Sequence, residues 1–182
     1  MADNEFGYTR WGMDWVRLAE PLRRTRPEPL LPRARSIARN NGVRAETEGT
    51  IVRAHIHRGG RASVTHIEFA PFDRTVVSAL TALLGSDPAA VTDEMHAAAV
   101  SEGISVAPRP GAIDCSCTAR SAHCVHVLAT FYELARRVDE NPRFGLDLQG
   151  YALHPGAATG DPADTPRWIP LETVDPALYF ET

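Results

Sequence analysis

An α+β fold, with a small antiparallel sheet and helices packed against it, follows from three features of this 182-residue sequence. Residues 42–69 alternate apolar and polar side chains, with glycines between the runs, which is the pattern of half-buried strands. Residues 73–84 and 128–138 repeat apolar side chains at three- and four-residue steps, which is the pattern of helices with one buried face. All three cysteines and a histidine fall within twelve residues, a set able to clamp a hairpin to a helix.

Each element has its own signature. Trp11, Trp15 and Leu18 share one face of a short helix that Pro21 ends, and the tryptophans read as core anchors rather than base-stacking platforms. Residues 21–34 read as an extended Pro/Arg linker. Gly42–Thr47, Thr50–His57 and Ala62–Phe69 form a three-stranded meander turned at Gly49 and Gly59-Gly60, with His55, His57 and His66 on or near its polar side. A helix from Asp73 to Leu84 buries Val76, Val77, Leu80, Leu83 and Leu84 and closes at Gly85. Asp87-Pro88 opens a second helix that runs to about Ser101. Ile104 to Ala107 reads as a strand leading into a turn at Pro108-Arg109-Pro110-Gly111. Leu128, Phe131, Leu134 or Ala135, and Val138 mark one face of a last helix, stopped by Asp139 to Pro142.

The chemistry is concentrated in Cys115, Cys117, Cys124 and His126, spaced C-x-C-x6-C-x-H. Three thiolates and one imidazole form a complete tetrahedral set, and this soft donor set selects zinc. A disulfide would strain a two-residue loop and leave one cysteine over. In three-Cys-one-His iron–sulfur proteins the histidine lies four residues past the last cysteine; here it lies two past. Catalytic zinc keeps a coordination position open for water, whereas four protein ligands close the site, so the expected role is structural. His123 is the other nearby imidazole, expected to face solvent or a partner. Two residues of a regular helix turn about 200°, so Cys124 belongs at or before the helix start and His126 in its first turn. The C-x-C pair belongs on a strand end or knuckle entered from Ala112-Ile113-Asp114.

This constellation resembles the SWIM zinc finger, whose signature is C-x-C, a short gap, then C-x-H. The resemblance extends to small, mostly actinobacterial SWIM proteins that open with Trp-Gly-x-x-Trp, matched by Trp11-Gly12-Met13-Asp14-Trp15, and end the helix after the finger in acids before a proline, matched by Asp139-Glu140-Asn141-Pro142. It covers about residues 8–150. Where the family turn in the ribbon would be Gln-Gly-Ser, this chain has His57-Arg58-Gly59-Gly60. The resemblance implies one structural Zn2+, nucleic-acid or protein binding, and association with a Swi/Snf-type helicase.

Composition narrows the classes. The nineteen basic residues are all arginine, so neither a P-loop nor a Schiff-base lysine can exist in this sequence. Nucleophile-elbow, zincin and nucleobase-deaminase motifs are also missing from it, and no enzyme or small-molecule substrate is expected. No run of 18 apolar residues and no leader is visible, and zinc-binding thiolates suit a reducing compartment, so the expectation is a cytoplasmic protein without a membrane span. Arg23, Arg24, Arg26, Arg33, Arg35 and Arg39 fall within seventeen residues that hold one acid, Glu28. They read either as a phosphate-contacting arm or as a solvated linker. The expected organisation is a Trp/Arg-rich arm (1–35), a β-meander with two helices (36–103), the finger with its helix (104–142), and a Pro-rich acidic tail (143–182) carrying Trp168, Ile169, Leu171, Leu178, Tyr179 and Phe180. The expected function is a non-catalytic, DNA-associated adapter; the alternative is a protein-interaction scaffold without nucleic-acid contact.

Overall fold

The computed structural model describes residues 5–22, 28–58, 60–85, 91–119 and 123–153. Arg23, Arg24, Arg26, the Asp87-Pro88 helix start and the apolar tail positions from Trp168 onward lie outside them. The elements are α1 (Arg10–Ala19), α2 (Leu31–Arg39), β1 (Val43–Glu48), β2 (Ile51–Arg58), β3 (Arg61–Phe69), α3 (Arg74–Leu84), α4 (Asp93–Ser101), β4 (Pro110–Cys115), α5 (Val125–Glu140) and α6 (Pro142–Asp147), then a single 3-10 turn at Tyr151–Leu153. The class is α+β, as the alternation and the helical repeats predict.

The strands form one antiparallel sheet in the order β1-β2-β3-β4. Val43, Ala45, Val52, Ala54, Ile56, Thr65, Ile67 and Phe69 are buried, while Arg44, Glu46, Arg53 and Glu68 are exposed. That is the one-sided alternation of an antiparallel sheet with a wet outer face. His55 pairs with Val64 and His66 with Arg53, so the sheet histidines do not sit directly opposite one another.

On the apolar face lies α5, the centre of the molecule. Sequence periodicity marks one face of this helix, yet Val127 through Ala135 are all buried, as are Val138 and Asp139. The reason is its neighbours: α1, α2 and α6 pack around the sides that the sheet leaves open. Trp15 lies against Phe69 with ring centroids 4.9 Å apart, and the Trp11 indole donates to the Thr92 carbonyl at 2.8 Å. Both tryptophans are buried core anchors.

Three boundaries differ from the sequence expectations. The chain is already helical from Leu31, because Pro32 falls in the first turn of α2, where a missing N–H costs nothing. The second helix starts at Asp93, where the Thr92 hydroxyl caps it and Asp93 and Glu94 complement its N-terminal dipole. Ile104 to Ala107 is not a strand. Gly103, at φ +75°, donates to Val100 O, and Ile104 donates to Ala99 O. This pair of bonds is a Schellman motif, so residue 104 closes α4, and the strand begins at Pro110. Past α5, Asn141 caps α6 with Pro142 in its first turn, and Leu146, Leu148 and Tyr151 are buried against the domain.

Among the described residues no helix is long and apolar enough to cross a membrane.

Candidate metal centre

Local structure delivers the four ligands to one point. Cys115 is the last residue of β4, and its strand partner across the ladder is Thr65. Ser116 then holds the chain to β3 twice: its N–H donates to Val64 O and its hydroxyl accepts from Val64 N–H, both at 2.9 Å. That two-point grip fixes the knuckle between Cys115 and Cys117. Cys124 is extended, at φ −69° and ψ 159°, and forms the N-cap of α5, with His126 in the first turn. This is the placement that the 100° helical step requires.

The ligand atoms of Cys115, Cys117, Cys124 and His126 all lie within 4.8 Å of one another, and Cys115 Sγ is 3.8 Å from His126 Nδ1. A tetrahedron with Zn–S bonds of about 2.3 Å and a Zn–N bond of about 2.0 Å has edges of roughly 3.5–3.8 Å. The observed cluster is therefore close to the required size, and the three thiols are not bridged by a disulfide. These four residues could hold a metal ion. Cys115 and Cys124 are buried, while Cys117 and His126 are half-buried, so the cluster has a dry side and a wet side. His123 is exposed and outside the ligand group.

Electrostatics sets the protonation state. Burial pushes the Cys115 thiol up to about 12 and raises Cys124 as well, while the N–H groups of Val127 and His126 at the first turn of α5 pull Cys124 back down. Burial, and then the nearby Arg33 guanidinium, hold His126 below its usual value. At neutral pH the metal-free centre thus carries protonated Cys115 and Cys124 thiols and a neutral His126 imidazole, and a metal has to displace those thiol protons to bind.

One positioning contact was not legible from the motif. Thr130, one turn beyond His126, donates to the His126 carbonyl at 3.0 Å. With its single hydrogen so used, its oxygen accepts from Thr65 Oγ1, 3.0 Å away in the buried interior. Thr65 is the partner of Cys115, so this hydroxyl pair ties the strand half of the cluster to the helix half. The only advance signal was a polar residue recurring inside two apolar patterns.

The opposite end of α5 carries a second buried polar group. Asp139 accepts from Gly7 N–H (2.6 Å), Thr9 N–H (2.9 Å) and the Thr9 hydroxyl (2.8 Å). Gly12 presses on the same carboxylate: a Cβ there would lie 2.0 Å from Asp139 Oδ1. The Trp-Gly-x-x-Trp element and the acidic end of the helix thus meet in space.

The arginine cluster is divided. Arg35 Nε donates to Tyr132 OH at 3.0 Å, and both groups engage Glu20, which locks α1, α2 and α5 together. Burial, and then the Glu20 carboxylate, raise the Tyr132 pKa. Arg39 pairs with Glu5. Arg33 is exposed, on the side of α2 whose charge reaches His126. The sequence was compared with family models, with curated proteins and with solved structures, and none of them matches.

Proposed function

We propose that this chain is a non-catalytic, zinc-binding module of the SWIM type that acts as a DNA-associated adapter. The observation that carries the reading is the convergence of Cys115, Cys117, Cys124 and His126, in C-x-C and C-x-H order, from the end of a strand and the start of a helix. Three sulfurs and one nitrogen favour zinc over harder divalent ions, and four protein ligands leave no position for a substrate. Zinc here fixes the knuckle to α5 and does no chemistry on a ligand. A Swi/Snf-type helicase, suggested by the motif resemblance, is the proposed partner, in the reducing cytoplasm that zinc-binding thiolates suit.

The nucleic-acid part of the reading rests on exposed Arg33 beside the cluster and on Arg23, Arg24 and Arg26, because Arg35 and Arg39 already serve Glu20 and Glu5. That internal use of two of the six arginines favours the second reading, a protein-interaction scaffold with no nucleic-acid contact. Binding of duplex and single-stranded probes across a salt series separates the two. The adapter reading expects affinity that falls steeply with salt, and a shallower slope in the Arg23→Ala/Arg24→Ala/Arg26→Ala/Arg33→Ala variant. No binding at low salt leaves the scaffold. Elemental analysis tests the centre separately: about one zinc per chain, lost in His126→Ala and kept in His123→Ala.

A further inference from the structure

We propose that the cleft between α1, α4 and residues 103–107 is the docking site for this chain's own C-terminal segment, residues 166–180. The inference is independent of the metal centre, which lies at the other end of the sheet-and-helix core.

The cleft has a volume of about 590 Å³ and is lined by α1, by α4 and by the segment that follows α4. Its apolar lining includes Val100, Ile104 and Val106, and Val100 is 55% exposed, one of only three large apolar side chains so exposed among the described residues. Arg10 and Arg17 stand exposed at its rim. Asp14 lies deeper and is already matched, by Arg17 at 2.7 Å and by His96 Nε2 at 2.8 Å. Arg17 is thereby engaged by Asp14, so the cleft offers an apolar surface with Arg10 as an exposed cation at its rim. Its volume suits one or two large side chains of an extended segment, not the face of a folded partner.

The sequence beyond Leu153 has the complementary chemistry. Residues 154–182 hold five acids against one arginine, and Trp168, Ile169, Leu171, Leu178, Tyr179 and Phe180 are set among them. The chain also leaves the domain at the right place. Gln149 Nε2 donates to Val106 O at 3.3 Å, and Tyr151 OH meets Thr81 Oγ1 at 3.1 Å. Gln149 is thus joined to Val106 of the cleft lining, while Tyr151 is held to α3. The fifteen residues from His154 to Trp168 can reach at most about 50 Å, so Trp168 lies within range of the cleft segment that Gln149 touches.

The test uses the full chain labelled with 5-fluorotryptophan, with the Trp168 resonance assigned by Trp168→Phe. Docking predicts a Trp168 signal displaced from that of free indole and returned to it by Val100→Glu, with a partial return in Arg10→Glu. The Trp11 and Trp15 signals stay dispersed in both variants, which verifies that each remains folded. Chymotryptic cleavage after Trp168 is expected to accelerate at least tenfold in Val100→Glu. A Trp168 signal at the free position in the unaltered chain overturns the proposal, as does a displaced signal that ignores both substitutions. A displacement that vanishes on dilution together with a fall in sedimentation mass also overturns it, because the occupant is then a second copy.

Discussion

The two ends of α5 solve the same problem by different means. The N-terminal end meets the end of β4, eleven residues back from His126 to Cys115, through a half-buried cluster; the C-terminal end meets a segment 132 residues back, from Asp139 to Gly7, through a buried carboxylate. At the N-terminal end three thiols and an imidazole gather in a group that could hold a metal ion. At the C-terminal end the Asp139 carboxylate is satisfied by three protein donors and backed by Gly12. With zinc as proposed, the first end depends on an external component, whereas the second is self-contained. Stability at the first should therefore follow metal supply and pH, while stability at the second should follow side-chain fit.

The largest expected effect is at the metal end. Cys117→Ser should lose most of the metal and unfold the knuckle, a loss of several kcal/mol given that zinc binding and folding are one event in such small sites. Zinc analysis alongside hydrogen exchange checks this, and the comparison breaks if exchange near Asp139 rises as much as exchange near Cys115. Next comes the carboxylate end. Asp139→Ala strands two backbone N–H groups and a hydroxyl, at about 2–5 kcal/mol. Gly12→Ala drives a methyl into the carboxylate, at about 2–4 kcal/mol. Because the first substitution makes room for the second, the double variant should cost clearly less than the sum in denaturant unfolding. Strict additivity would show that Gly12 and Asp139 do not share one site. Neither variant should change the zinc content.

Thr130→Val sharpens the boundary between the ends. It should cost about 1–2 kcal/mol by leaving Thr65 without its acceptor, and it should also speed zinc release to a chelator, because the strand and helix ligands are no longer tied. Unaltered release kinetics would reduce the hydroxyl pair to ordinary packing. The pH dependence is read last. The raised Cys115 and Cys124 pKa values mean that the folded, metal-free centre holds its protons more tightly than free thiols do. Metal must displace them, so affinity increases with pH and falls as pH drops, by up to roughly tenfold per pH unit for each thiol displaced. Chelator competition from pH 8 to 5.5 should show that fall, and a flat profile would mean that the thiols are not the ligands.

Much of this was legible in the sequence where the signal is local. The C-x-C and C-x-H spacings are short enough that strand and helix geometry alone decide where the side chains can point. Hence Cys115 at a strand end, Cys124 at the N-cap and His126 in the first turn agree with expectation. The meander likewise follows from alternation over eight or nine residues. Illegible were the contacts that close over long separations: Gly7 to Asp139, Thr65 to Thr130, and Arg35 to Tyr132 and Glu20. Pro32 misled because proline reads as a linker residue unless the helix it opens is already known.

The sequence by itself determined the donor set of the candidate centre, the strand alternation and the helical repeats, because residue type and spacing act within a few turns of chain. Only the tertiary structure decided that Ile104 closes a helix instead of starting a strand, that α5 is enclosed on nearly every side, and that Arg35 and Arg39 are engaged by acids of the same chain. Those outcomes depend on which surfaces meet, and a buried hydrogen bond or an ion pair is specified by its partner's position in space, not by the residue that offers it.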